Sequence, residues 1–424
     1  MGDLVTIEDI GAQGDGTAEG GTLFVPGALP GERVRIARST AGEGRARLLE
    51  IVEPAPERQT PACRHFGTCG GCAVQHAEDA FVARWKRRLV IDALGARLGE
   101  AAATVDIRPV VTVPPASRRR IALTARRTKK GAAIGFHRGQ SDQIVAIEEC
   151  PVARPALVAA IPRLAELVQL LASRKGELRL TLVEAPAGID CAVTGTKPLD
   201  GPARALLAGA TARAGLARLS VEGEPVVTLL APVERIGQAE IVPPPGGFMQ
   251  PSVEGAAALT ALVIEALDLA TLRPRRKGLA RVADLFAGIG TFALPLAEAA
   301  DVDAYELEAP ALAALDRGWR GARLSGRIAC HRRHLFHRPL VGPELEPDDA
   351  AVIDPPRAGA RGQAEALAAS GVRRIAAVSC NPATFARDAR ILLDGGYRLL
   401  WVAPVDQFRW SSHLELVAAF RRGD

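Results

Sequence analysis

The strongest constraint on the fold lies in the last third of the chain. Five short apolar runs, at residues 282–286, 302–305, 350–353, 375–378 and 399–402, alternate with stretches long enough for helices. A sixth apolar stretch, 414–420, ends the series. Runs that are apolar almost throughout, rather than at every second residue, suit strands buried on both faces. Such strands separated by helices specify a doubly wound α/β sheet, whose ligands bind outside the carboxyl ends of the strands. Residues with chemistry to offer stand at those ends. They are the glycine loop 284–291, then Glu306, Asp354-Pro355-Pro356-Arg357 and Ser379-Cys380-Asn381-Pro382.

A chain of 424 residues exceeds one ordinary domain. Residues 1–55 read as a small β domain, with period-two alternation and Gly-rich turns. Residues 56–240 follow a Pro-rich linker and mix strands with helices, and 241–424 hold the parallel-sheet pattern. No run of 18 apolar residues occurs, so no membrane helix is expected. The acidic N-terminal segment lacks the basic and apolar regions of a leader, and the expected location is the cytoplasm. A net charge of +5 points to a polyanionic partner. Three basic features offer contacts for one: the helix predicted over 77–98 with Arg84, Lys86, Arg87 and Arg88, the run 117–120, and the run 126–130.

Seven cysteines in a long intracellular chain favour metal binding or catalysis over disulfides. Cys63, Cys69 and Cys72 have the spacing Cys-x5-Cys-x2-Cys, and Cys150 follows after 77 intervening residues. Clustered thiolates of this kind hold an iron–sulfur cluster or zinc, and Gly67, Gly70 and Gly71 let the backbone wrap closely. Cys191 and Cys330 have no evident role. Cys380 follows a strand and precedes an Asn-Pro turn, which presents its thiol at the ligand edge. Glu415 is a carboxylate at the start of an otherwise apolar strand. Gly288-x-Gly290-x-x-Ala293 also fits a dinucleotide fingerprint, so the loop alone leaves an NAD-dependent enzyme open.

Taken together, these motifs resemble the RNA 5-methyluridine (uracil-C5) methyltransferase family. They most resemble its branch with an N-terminal TRAM barrel and a [4Fe–4S] cluster, which acts on 23S rRNA. The resemblance rests on residues 25–32, the four-cysteine spacing, Phe248-Met249-Gln250, the glycine loop, Asp-Pro-Pro-Arg, Ser-Cys-Asn-Pro and His413-Leu414-Glu415, all in family order. It implies three parts: a TRAM or OB-like β-barrel over 1–55, a central α+β iron–sulfur domain, and a C-terminal Rossmann-like methyltransferase sheet. It also implies S-adenosyl-L-methionine as methyl donor, with Gln250, Phe286, Thr291, Glu306 and Asp354 around it. Cys63, Cys69, Cys72 and Cys150 would hold the cluster, Cys380 would be the nucleophile and Glu415 the base. The implied partner is RNA, 23S rRNA before tRNA, with the protein acting as a monomer and no membrane involved. Two positions depart from the family pattern. Pro251-Ser252 follows Gln250 in place of a residue pair ending in Asn, and His334 stands where an Asp is usual. An adenine-N6 methyltransferase and a non-catalytic iron–sulfur RNA-binding protein are the competing readings.

Overall fold

The computed structural model describes residues 2–38, 44–139 and 141–423. Two three-stranded antiparallel sheets form the N-terminal part. One pairs Asp3–Thr6, Arg33–Arg38 and Ala46–Glu53, and the other pairs Asp9–Ile10, Asp15–Ala18 and Leu23–Pro26. Val25, Val34 and Ile36 lie between them and are fully buried. A seven-stranded sheet, with Arg120–Thr128 and Glu177–Ala185 at its centre, fills the middle of the chain. Its helices, among them Gly201–Ala214, bury Leu164, Leu167 and Leu207.

The C-terminal sheet has nine strands. Seven are labelled here: β1 (Ala280–Leu285), β2 (Ala300–Glu306), β3 (Ile328–Arg332), β4 (Ala350–Ile353), β5 (Arg374–Ser379), β6 (Tyr397–Asp406) and β7 (Glu415–Arg422). Their order is β3-β2-β1-β4-β5-β7-β6. All run parallel except β7, which is antiparallel to both neighbours. Alternate residues face opposite sides, as the pleat demands. Val282, Val352, Ala376 and Val417 pack on Leu259 and Val263 of helix α2 (Val253–Leu267). Ala283, Ile353, Ile375 and Ala418 pack on the other side. The strands are apolar throughout because both faces are covered.

That second side is covered by α3 (Pro382–Asp394) and by α1 (Asp79–Leu98), a helix from much earlier in the chain. Val90 and Leu94 of α1 are fully buried, each contributing about 1.5–3 kcal/mol. Residues beyond α1 also join the sheet: Asp106–Ile107 and Val111–Thr112 pair with β6.

Two basic features expected to face RNA are largely taken up in contacts within the protein, although Arg84 and Arg88 stay exposed. On α1, Lys86 is fully buried and its Nζ meets Asp406 at 2.6 Å, with His413 O at 3.0 Å. Arg87 donates to Ile107 O at 2.6 and 3.0 Å, and Arg88 pairs with Asp9 at 2.5 Å. In the run 117–120, Arg119 is buried against Glu234 at 2.6 Å, and Arg118 lies over the Phe408 ring at 5.1 Å. Burying a cation requires a partner, so these residues brace the fold. The run 126–130 is exposed, and only Arg126 is paired, with Glu177 at 2.5 Å. No helix among the described residues is long and apolar enough to cross a membrane.

Candidate active site

The glycine loop leaves β1 through a strained turn. Phe286 has φ 67°, a left-handed conformation that costs a non-glycine residue about 1–3 kcal/mol. The N–H groups of Phe286 and Ala287 both donate to Tyr305 O at 3.0 Å, which pins the turn to the end of β2. Gly290 has φ 92°, and a Cβ there would collide with Leu315 and Leu294. The half-buried Phe286 ring stands 5.3 Å from the exposed ring of Phe336. Past the loop the chain makes only a single helical turn, Ala293–Leu296. So short a helix carries little dipole and offers no anion site at its start. It also undercuts the dinucleotide alternative, which needs a pyrophosphate seated on a full helix N-terminus.

Glu306 closes the loop from the end of β2. Its carboxylate accepts from Gly288 N at 3.0 Å, Leu307 N at 2.6 Å and Glu308 N at 2.9 Å. Asp284, beneath the loop, is fully buried and neither carboxylate oxygen has a hydrogen-bond partner. Burial, then the nearby Asp354 and Glu306, pushes it up to about 8.

Cys380 and Glu415 reach one edge of the sheet by opposite routes. Cys380 is the first residue past β5. Asn381 caps α3 by accepting from Ala383 N at 3.1 Å, and Pro382 takes the first helical position. The Asn381 side chain also donates to Arg357 O at 3.2 Å, tying this turn to the Asp-Pro-Pro-Arg turn after β4. Glu415 is the first residue of β7, the antiparallel strand, whose Leu416 pairs with Ser379. A strand that begins where its neighbour ends brings its first side chain beside that neighbour's last.

The electrostatics follow from this crowding. Burial pushes the Cys380 thiol up to about 11, with Glu415 and Asp354 adding to the rise and the Arg357 guanidinium opposing it. Burial and then Asp354 push Glu415 up to about 8, while a hydrogen bond from Gln407 opposes the rise. Burial pushes Asp354 up to about 7. Three acids that share one poorly solvated crevice cannot all ionise cheaply.

Sequence reasoning missed Gln407. It is buried, and its Nε2 donates to Gln250 Oε1 at 2.7 Å, so it bridges Gln250 and Glu415. A Cβ at Gly255 would collide with the Gln407 side chain, so α2 makes room for it. Gln250 and Thr291 line a cavity of about 410 Å³ together with Arg119, Met249 and Ile289. Ser252 is committed elsewhere: its hydroxyl caps α2, accepting from Gly255 N at 2.9 Å. The His334 ring lies 4.0 Å from that of His337, beyond β3.

The four candidate metal ligands are all half-buried. Burial and then Cys150, Cys69 and Cys63 push Cys72 up to about 12. Burial likewise raises Cys69 and Cys63, with the charge of Cys150 adding to both. Gly70 lies against the backbone of Gly139, and Gly71 N donates to Cys69 Sγ at 3.4 Å. Among the described residues, no three His, Cys, Asp or Glu side chains converge tightly enough to hold one metal ion. The same loop docks on the approach to Glu415, with Ala73 N and Val74 N donating to Trp410 O at 2.8 and 3.0 Å.

Comparison with known proteins identifies the family. The profile of the family described as tRNA (uracil-5-)-methyltransferase matches residues 344–422, which run from before β4 to the end of β7. An RNA methyltransferase of Brucella suis is 45% identical over 421 residues, covering 99% of this chain and 98% of its own. The 23S rRNA (uracil(1939)-C(5))-methyltransferase RlmD of Edwardsiella ictaluri is 33% identical, covering 98% of this chain and 95% of its own. The fold also matches the tRNA (uracil-54, C5)-methyltransferase of Pyrococcus abyssi, solved with S-adenosyl-L-homocysteine. Its TM-score is 0.73 at 23% identity, over 98% of this chain and 99% of that one. With a strand order that sets a thiol, two carboxyls and a glycine loop along one edge, and with relatives of this identity over its whole length, the chain belongs to the RNA (uracil-5-)-methyltransferase family.

Proposed function

We propose that the protein transfers a methyl group from S-adenosyl-L-methionine to C5 of a uridine in RNA, with 23S rRNA as the substrate. The observation that carries this reading is the meeting of Cys380 and Glu415 at the sheet edge, beside Asp354 and the glycine loop. The choice of 23S rRNA over tRNA rests on the Edwardsiella enzyme, which is similar along almost the entire chain. The tRNA enzyme of Pyrococcus is similar in fold, at lower identity.

The donor supplies an electrophilic methyl group on a cationic sulfonium. Asp284, Asp354, Glu306 and Glu415 along one edge suit a cation, and the sulfonium would draw Asp284, Asp354 and Glu415 toward their ionised forms. Gln250 and Thr291, which line one cavity, would hold the donor's polar tail. Uracil C5 is too weak a nucleophile to take the methyl unaided. The Cys380 thiolate adds to C6, and the ring becomes an enolate whose C5 takes the methyl. Glu415 then removes the C5 proton, the C6–S bond breaks and the thiolate leaves. The target base must leave its stack to reach a thiol recessed at a strand end.

We infer that Cys63, Cys69, Cys72 and Cys150 would hold a [4Fe–4S] cluster. Burial, and then the neighbouring thiolates, raise Cys63, Cys69 and Cys72, and a cationic centre between the cysteines would offset that cost. A cube gives each thiolate its own iron and accepts a wider ring of sulfurs than a single ion does. The cluster would tie the 63–72 loop to Cys150 and so support the Trp410 loop. An absorbance spectrum of anaerobically purified protein tests this: a broad visible band is expected, and a colourless protein holding one zinc would overturn it.

RNA carrying 5-fluorouridine tests the chemistry. Fluorine at C5 cannot leave as a proton, so wild-type protein is expected to form an adduct that survives denaturing electrophoresis. The Cys380→Ala protein should form none. Adduct formation by that variant would sink the mechanism. Mapping 5-methyluridine in rRNA and tRNA from cells with and without the gene decides the substrate.

A further inference from the structure

The opposite edge of the same sheet carries a second feature, which the chemistry above does not use. A cavity of about 640 Å³ opens at the amino ends of β5 and β6 and the carboxyl end of β7. Six arginines line it: Arg273, Arg373, Arg374, Arg398, Arg421 and Arg422. Two carboxylates face them. Asp268 pairs with Arg421 at 2.9 Å and Arg374 at 3.3 Å, and Asp349 pairs with Arg373 at 2.7 Å. Among the described residues, the side chains of Arg273 and Arg398 have no partner, and both are exposed. The Nε atoms of Arg373, Arg421 and Arg422 are buried and have no acceptor. The adjoining Arg276 and Lys277 are exposed as well.

We propose that this arginine cavity is a second RNA-docking site, which takes backbone phosphates of the substrate at a distance from the target uridine. Six guanidiniums facing two carboxylates leave an excess of positive charge in a concave site. Guanidinium pairs with phosphate through two parallel hydrogen bonds, and the exposed, unpaired side chains of Arg273 and Arg398 leave such forks free. Phosphate contacts position a polynucleotide without reading its sequence. β5 separates the cavity from Cys380 by about 20 Å, six residues at roughly 3.3 Å each. One nucleotide cannot touch both places, but a folded RNA with a flanking arm can.

The proposal rests on the reading of RNA as substrate, and its test separates the two. Methyl transfer is measured on two RNAs, a short stem-loop with the target uridine and the same stem-loop with a flanking duplex arm. The variant is Arg273→Glu with Arg398→Glu; both side chains are exposed and unpaired, so its thermal midpoint should match wild type. For the longer RNA, KM is expected to rise about tenfold in the variant at moderate salt, with kcat unchanged. The dependence of log KM on log salt should flatten by about one to two units. The short RNA should be methylated alike by both proteins. Equal KM for the longer RNA would overturn the docking site and leave the methyl-transfer reading intact. Failure of wild type on both RNAs would strike that reading instead, and binding of the longer RNA by fluorescence anisotropy would still test the cavity. Titration with inorganic pyrophosphate adds a further arm. If it binds wild type and not the variant while RNA KM is unchanged, the cavity is a small-anion site and the RNA assignment falls.

Discussion

The two edges of the catalytic sheet are built from the same strands and carry opposite chemistry. At the carboxyl edge stand Asp284, Glu306, Asp354, Cys380 and Glu415, four carboxyls and a thiol, three of the carboxyls holding their protons well above the ordinary range. At the amino edge stand six arginines, two of them unpaired. A net charge of +5 describes neither edge. The polyanion and the cationic donor call for opposite fields, and the sheet separates them by the length of a strand. The carboxyl edge is crowded, buried and internally coupled, whereas the amino edge is open.

The largest effect that would break this contrast belongs to the thiol. Cys380→Ala should lower methyl transfer by about 10⁴-fold or more, since the covalent route is lost while donor binding stays. Equilibrium dialysis with labelled donor checks the second half; loss of donor binding would mean that Cys380 shapes the pocket instead. Next comes the brace behind the edge. Lys86→Met leaves Asp406 buried without its cation and should destabilise the fold by about 3–5 kcal/mol. Arg398→Gln, at the open edge, should change stability by less than about 0.5 kcal/mol. Urea midpoints of the two variants compare the edges directly, and similar losses would erase the distinction.

Gln407 gives a smaller and more specific effect. Its hydrogen bond favours the ionised form of Glu415. Gln407→Ala should cut the single-turnover rate by about tenfold and move the rising limb of its pH profile upward from about pH 8. A lowered rate with an unmoved limb would make Gln407 a packing residue only. Gln407 also marks where the sequence stops being legible. β1, β4 and β5 can be read because strands buried on both faces are continuous apolar runs, and the motifs sit where those runs stop. The antiparallel register of β7 cannot be read, yet it alone brings Glu415 to Cys380. Gln407 lies between strands in a segment without pattern, and only tertiary packing sets it between Gln250 and Glu415. The same limit explains α1: Lys86 has the composition of an RNA-facing cation, and its partner Asp406 is 320 residues away. The arginine cavity gathers from separate segments, and neither the run 273–277 nor the pairs 373–374 and 421–422 shows alone that they meet.

Asp284→Asn should give a modest effect of the opposite sign. The folded protein holds the Asp284 proton up to about pH 8, while an ordinary aspartate releases it near 3.8. Between those values the folded state binds more protons than the unfolded chain, so stability falls as pH rises through that window. Asparagine does not titrate, and the loss should vanish with it. The variant should therefore melt a few degrees above wild type at pH 8, at about 2–4 °C for each kcal/mol regained, and gain less at pH 5. Its methyl transfer should fall, because a carboxylate facing the cationic donor is lost. Melting curves of both proteins at the two pH values test the sign. A gain that is the same at both would place its origin in packing and show that the crowded edge stores no protonation strain at Asp284.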